Sequence, residues 1–165
     1  MDRAEMLWEI EQIKQVKASY FRYLDSKQWR KYRSVFTDDA KVWILGEGMY
    51  DSPTPTYESV DDFVAFMETG HDKDHVVSVH QGHMPEITII DEQNARGIWS
   101  MFDWVERPMM RTMQGFGHYY EEYVKGDDGK WRIRIFKLTR LRVDRGPSDL
   151  PEAPHYGHVP KVWWD

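Results

Sequence analysis

The chain has 165 residues, enough for one domain with a substantial core. Its net charge of −6 argues against nucleic acid and anionic membrane as partners, and its lack of cysteine excludes disulfides, thiolate metal sites and a cysteine nucleophile. Hydrophobic residues at 41% and charged residues at 30% fit a soluble globular protein, and an aromatic share of 15% suits an aromatic-lined pocket, an interface or an aromatic core. The opening stretch MDRAEMLWEIEQIK has no signal-peptide apolar run, and no segment approaches membrane-spanning length, so a cytoplasmic location is expected.

From about Arg3 to Leu24, the residues Leu7, Ile10, Ile13, Val16, Tyr20 and Leu24 recur at three- and four-residue steps. That spacing predicts a helix with one apolar stripe, capped by Asp2. A second short helix is expected from about Gln28 to Phe36, with Trp29, Tyr32, Val35 and Phe36 inward and Thr37-Asp-Asp39 ending it. Lys41 to Leu45 reads as a strand that Gly46-Glu-Gly48 turns toward a second one near Met49. Ser59-x-x-Asp62 resembles a capping box and opens a helix to about Thr69, with Gly70 as its C-cap.

Beyond that point strands dominate. Val76 to Ile90 is rich in β-branched residues and reads as two short segments joined at Gly82 to Pro85. Strand alternation puts Val76, Ser78 and His80 on one face. Ala95 to Glu106 and Met110 to Val124 are long strands, the latter bent or bulged at Gly115 and Gly117. Lys125 to Gly129 is a hairpin turn, and Lys130 to Val143 is the last strand. Residues 1–143 form the domain. The tail 144–165, with four prolines and Trp163-Trp164, is expected to dock on the domain or on a neighbouring subunit. Helices first, then antiparallel strands, define an α+β fold: a curved sheet with helices packed on one side.

Several polar residues fall where apolar ones are expected. His80 lies inside a strand, where burial and a carboxylate could tune it as a general base, or where it could be a core histidine bonded to backbone. Asp103 shares a face with Trp99, Met101 and Val105, so it needs an arginine or backbone partner, or serves in chemistry. On the last strand Phe136, Leu138, Arg140 and Arg142 share one face and Trp131, Ile133 and Ile135 the other, which makes Arg140 the candidate inward guanidinium. Tyr20 lies on the buried helix stripe with a hydroxyl to satisfy. Asp25 falls at the helix C-terminus, where the macrodipole disfavours its charge. His80-x-x-His83 has an odd separation, which on a strand points the rings to opposite faces, so no metal site is expected. No Gly-rich phosphate loop is present, and no nucleotide cofactor is expected.

Four motifs carry a resemblance: Tyr20-Phe-Arg-Tyr-Leu-Asp25, His80-Gln-Gly-His83-Met-Pro-Glu-Ile87, Gly97-Ile-Trp-Ser-Met-Phe-Asp103, and Asp128-Gly-Lys-Trp131 followed by Arg140. Over about Ile10 to Arg142 the chain resembles the SnoaL-like branch of the nuclear transport factor 2-like superfamily, most closely the bacterial bile-acid 7α-dehydratases and more distantly scytalone dehydratases and hexachlorocyclohexane dehydrochlorinases. The resemblance implies a cone of antiparallel sheet around a pocket closed by N-terminal helices. It also implies a homo-oligomer, a trimer first and a dimer second. It puts Tyr20, Asp25, His80, Asp103 and Arg140 in the active site.

The function expected is a cofactor-independent lyase, of dehydratase type, acting on a bulky hydrophobic, aromatic or steroid-like hydroxylated small molecule. His80 is the base, Asp25 its orienting carboxylate, Tyr20 a donor to developing negative charge, and Asp103 a second acid/base or an anchor for the substrate. Arg140 pairs with a carboxylate. Carbon–carbon cleavage releasing formaldehyde from a lignin-derived diaryl compound, dehydrohalogenation and isomerisation need the same parts. The alternative from another class is a noncatalytic small-molecule or protein-binding module.

Overall fold

The computed structural model describes residues 1–71, 76–107 and 111–147, without the Arg111 side chain. In chain order it has α1 (Arg3–Asp25), α2 (Trp29–Arg33), β1 (Phe36–Glu47), α3 (Val60–His71), β2 (Val77–Ile89), β3 (Asn94–Arg107), β4 (Arg111–Lys125) and β5 (Trp131–Gly146). The strands form one curved sheet in the order β1-β5-β4-β3-β2, with β1 parallel to β5 and every other pair antiparallel. The helices cover its inner side, which is the α+β architecture expected. No helix among the described residues is long and apolar enough to cross a membrane.

Helix α1 starts at a full capping box: Asp2 accepts from the Glu5 amide and Glu5 from the Asp2 amide. It stops in a Schellman motif, with Lys27 left-handed at φ 56 and bonds from Gln28 N to Tyr23 O and from Lys27 N to Leu24 O. The chain therefore turns immediately after Asp25. The buried stripe differs from the one the apolar spacing predicts. Ile13, Tyr20 and Leu24 are inside, but Leu7 is 59% exposed, and Glu9 and Lys17 are buried in its place. The reason is that both charges find partners. Glu9 accepts from Lys125 Nζ and Trp131 Nε1, each at 2.6 Å. Lys17 Nζ donates to Glu121 at 2.5 Å, inside a cage of aromatic rings with Tyr119 3.4 Å away, and Glu121 also takes the Tyr123 hydroxyl. Burial pulls Lys17 down to about 8 while Glu121 opposes that shift.

Several boundaries differ from the sequence reading. Helix α2 is one short turn, and Thr37 to Asp39 already belong to β1. No strand forms at Met49; Val42 pairs instead with Tyr57 in an isolated bridge. Gly70 lies inside α3, which runs on to His71. Val77 to Ile89 is one continuous strand, not two segments: Met84, at φ 47, and Pro85 together oppose Trp99 in a bulge. The bulge moves the inward phase from His80 and Gly82 to Ile87 and Ile89, which pack on the core.

A second shift, at Arg134, puts Trp131 and Ile133 on the same inner side as Phe136 and Leu138, where strict alternation had separated them. A third, between Phe116 and Gly117, leaves Leu141 as the extra residue, so the irregularity expected in β4 at Gly115 and Gly117 lies in the facing strand β5, while β4 keeps unbroken register with β3. β5 continues three residues past Val143, to Gly146. Pro108 to Met110 and the rest of the tail, residues 148–165 with Trp163-Trp164, lie outside the described residues.

The Lys17–Glu121 pair makes a stability test. Lys17→Met should cost about 3–5 kcal/mol, because it strands a buried carboxylate. Lys17→Met/Glu121→Gln should recover most of that loss, since no charge is then unpaired and the amide oxygen still accepts from Tyr123. Urea unfolding of the two variants reads the difference, and a single variant as stable as the double would contradict it.

Candidate active site

The site is assembled where the end of α1 meets β2. Gly82 lets the Phe21 ring of the helix lie directly on the strand: a Cβ there would lie 2.7 Å from Phe21 Cζ, so a side chain would displace that ring. With the helix seated, Asp25 reaches the β2 backbone. Its carboxylate accepts from the Ser78 hydroxyl at 2.8 Å, the His80 amide at 2.8 Å and His80 Nδ1 at 2.6 Å. Three donors offset the unfavourable position at a helix C-terminus. Because a carboxylate only accepts, Nδ1 carries the proton and Nε2 is left as the basic nitrogen. Nε2 takes no hydrogen bond from the described residues. The His80 side chain is 6% exposed and inward, whereas His83 is exposed and bonds Gln81, so the two rings do face opposite sides.

Asp103 is the direct cross-strand neighbour of His80. It is 2% exposed and pairs bidentately with Arg140, at 2.9 and 2.7 Å. Gly115 sits opposite Asp103 on β4, and a Cβ there would fall 1.8 Å from Arg140 Nη1 and 2.1 Å from Asp103 Oδ1. The ion pair therefore occupies the volume of the missing side chain. Burial works against the Arg140 charge, and the Asp103 hydrogen bond and charge override it, holding the guanidinium above its usual value. Both candidate roles of Asp103 and Arg140 thus meet in one pair, and the carboxylate that Arg140 was expected to bind is internal.

Tyr20 stacks on Phe136 at 5.3 Å and packs against Tyr32 at 5.2 Å. Burial, reinforced by Tyr32, Glu121 and Asp103, raises its hydroxyl well above the ordinary value, so it remains a donor. The buried Tyr32 hydroxyl faces that of Tyr20 without the alignment of a hydrogen bond. All five predicted site residues are therefore on the inner side. His80 touches Asp25, Asp103 touches Arg140, and Tyr20 lies within electrostatic reach of Asp103.

Sequence reasoning did not single out Tyr32, Tyr119 or His71 as site groups. Tyr119 is 1% exposed and senses both Asp103 and Arg140. His71 ends α3 with its ring centroid 6.1 Å from that of His80. Its Nδ1 donates to Met67 O at 2.8 Å, and its Nε2 is buried without a partner. Nothing in the local pattern of these residues separates them from ordinary core. Only Ser78, two residues before His80 on the same face, had a readable signal.

A model of the SnoaL-like domain matches residues 5–137, and the chain belongs to that family. Among solved structures it is similar to a scytalone dehydratase-like protein from Novosphingobium aromaticivorans, with TM-score 0.70 and 18% identity over 92% of this chain and 95% of that one. It is also similar to the type 3 hexachlorocyclohexane dehydrochlorinase from Novosphingobium barchaimii, with TM-score 0.69 and 17% identity over 93% and 99%. These likenesses establish the fold.

His71 provides a pH test. Burial, more than any other cause, lowers it from an ordinary 6.5 to about 4. Between those values the unfolded chain binds a proton that the folded state does not. Stability is thus full above about 6.5 and falls as pH drops toward 4. The His71 contribution should shrink by about 2 kcal/mol between pH 7 and pH 5. Urea unfolding of wild type and His71→Gln at both pH values should show a smaller loss in the variant; equal losses would exclude this group as the cause.

Proposed function

We propose that the protein is a cofactor-independent lyase that removes water from a bulky hydroxylated small molecule with a carbonyl or phenolic oxygen conjugated to the reacting carbon. The observation that carries this reading is the 2.6 Å bond from His80 Nδ1 to a carboxylate already held by two other donors. It fixes the tautomer and leaves Nε2 as the inward base. In the proposed step Nε2 takes the proton from the carbon beside the carbonyl. The freed electron pair forms the carbon–carbon double bond, the carbon–oxygen bond to the hydroxyl breaks, and the imidazolium returns its proton to the departing oxygen as water. Asp25 stabilises the imidazolium, and Tyr20 donates to the oxygen on which negative charge develops.

Asp103 is read as an acceptor that orients a substrate hydroxyl, because both of its oxygens already accept from the Arg140 guanidinium and lone pairs remain to accept from a ligand. The family and the fold, shared with a dehydrochlorinase and a scytalone dehydratase-like protein, support elimination chemistry as a class.

His80→Ala should fold and lower turnover by about two to four powers of ten, the usual worth of a positioned base. Tyr20→Phe should slow turnover roughly a hundredfold. The assay incubates β-hydroxylated aryl and steroidal ketones with the enzyme and an aldehyde-trapping reagent. Water loss without trapped aldehyde supports the dehydratase; trapped formaldehyde replaces it with the carbon–carbon lyase. Full activity in His80→Ala would remove both.

A homo-oligomer forms part of the same reading. Its support is a groove of about 710 Å³ on the outer side of the sheet, lined in part by Ile90, Ile98, Tyr120 and Ile135, with Ile90 and Tyr120 53% and 41% exposed. Sedimentation at micromolar concentration should give a multiple of the 19.8 kDa chain mass; a monomer would refute it.

A further inference from the structure

The outer face of the sheet carries a row of aromatic and apolar side chains. With Asp103 and Val105 inside, alternation turns Ile98, Phe102 and Trp104 of β3 outward, and the unbroken register with β4 sets Phe116, His118 and Tyr120 beside them. Phe102 lies opposite Phe116, with ring centroids 5.4 Å apart, and the rings of His118 and Tyr120 are 6.2 Å apart. The described helices lie on the other side of the sheet, and the row is left half-buried to exposed. An apolar surface of this extent marks a docking site.

The chain itself leaves the sheet onto this face. Gly146 pairs with Thr112, and the Thr112 hydroxyl donates to the Pro147 carbonyl at 3.2 Å. Gly146 and Pro147 line a groove of about 510 Å³ with Trp104, Thr112 and Gln114. The groove of about 710 Å³ at Ile98, Tyr120 and Ile135 lies at the other end of the same row, with Phe102, Phe116 and His118 between the two. The residues after Pro147 include Pro151, Pro154 and Pro160 and end in Val162-Trp-Trp-Asp165. Proline-rich segments favour the extended polyproline helix, which docks in aromatic-lined grooves at low entropic cost. Ile135 precedes Pro147 by twelve residues of β5, about 40 Å at full extension. Trp163 follows Pro147 by sixteen residues, about 50 Å as a polyproline helix. A tail turned back across the outer face therefore brings its tryptophans to the far groove with little chain to spare.

We propose that the outer face is the docking surface for this chain's own C-terminal segment, residues 148–165. The prolines lie along the Trp104, Phe102 and Phe116 row, and Trp163-Trp164 fill the groove at Ile98, Tyr120 and Ile135. The two indoles bury a large apolar area there, and Glu86 and Thr88 on the groove rim supply acceptors for their N–H groups. The segment is then a strap on the back of the sheet, on the side away from His80 and Asp25, and not a lid over them. The proposal is independent of the lyase reading. Copies of the chain that associate on this side meet across the seated strap.

The test is cross-linking in the full-length chain, which has no cysteine of its own. Asp165→Cys is combined with Thr88→Cys, on the rim of the far groove, or with Glu11→Cys, exposed on α1, and each double variant is treated with a short bismaleimide. Read by intact mass, the Thr88 pair should close within one chain roughly tenfold faster than the Glu11 pair, because seating raises the effective concentration of the tail end at the groove. The two single variants Asp165→Cys and Thr88→Cys, mixed, should give few linked dimers. Trypsin supplies a second reading, since Lys161 is the one lysine or arginine of the segment. Cleavage there should be roughly tenfold faster in Trp163→Ser/Trp164→Ser than in wild type, as protection follows the seated population. Equal closure of the two pairs, or equal cleavage, would overturn the proposal. Linked dimers as the main product of the mixed variants would overturn it too, by giving the groove to the tail of a second copy.

Discussion

The arrangement depends on one carboxylate. Asp25 ends a 23-residue helix and grips the edge strand β2 through a side-chain hydroxyl, a backbone amide and an imidazole at once. The grip needs the helix to stop there and to lie flat on the strand. The Schellman turn through Lys27 provides the first and Gly82 under Phe21 the second. A longer helix would swing the carboxylate round, and a side chain at residue 82 would displace the Phe21 ring that seats the helix on the strand. The tautomer and orientation of His80 thus follow from backbone geometry several residues away from the ring.

Helix α1 is less an amphipathic helix laid on a sheet than a ladder of polar groups inserted into it. Glu9, Lys17 and Tyr20 descend the buried stripe, with Asp25 on its flank at the helix end, and each charged group meets its own partner: Lys125 with Trp131, Glu121, and the Ser78–His80 strand. Buried charges that leave a partner unsatisfied cost several kcal/mol, so this stripe fits the sheet in one register only. The rigidity that holds the site therefore comes from polar matching as much as from the aromatic core of Tyr20, Tyr32, Phe36, Phe63 and Phe136.

The fold class and the inward positions of the five candidate residues were legible in the sequence for different reasons. Alternation on β3 placed Asp103 correctly because that strand has no bulge before it, and the motif resemblance drew together Tyr20, Asp25, His80 and Arg140. The errors have a common cause. Periodicity assumes a constant phase, and the bulges at Met84-Pro85 and at Arg134 each change it, which hid the continuity of β2 and the inward position of Trp131 and Ile133. Hydrophobic spacing also sends charged residues outward by default, so Glu9 and Lys17 went unread until Trp131 and Glu121, more than a hundred residues away, came into contact with them. Gly115 was recognised as an irregularity, but its use as a gap for the Asp103–Arg140 pair depends on strand order, which local sequence does not encode.

The chemistry proposed for the site gains from what its other groups are prevented from doing. Burial raises the hydroxyls of Tyr20, Tyr32 and Tyr119 well above their ordinary values, so all three stay protonated near neutral pH. His71 is held at about 4 and so stays neutral there, an acceptor without a proton to give at Nε2. Asp103 is engaged by both arms of Arg140. Under the lyase reading this leaves His80 as the group able to take a proton and give it back, with fixed donors and acceptors around it that need no reorganisation as charge moves. A proton removed and returned by one ring nitrogen, from a ring held by Asp25, favours loss of hydrogen and hydroxyl from the same face of the substrate.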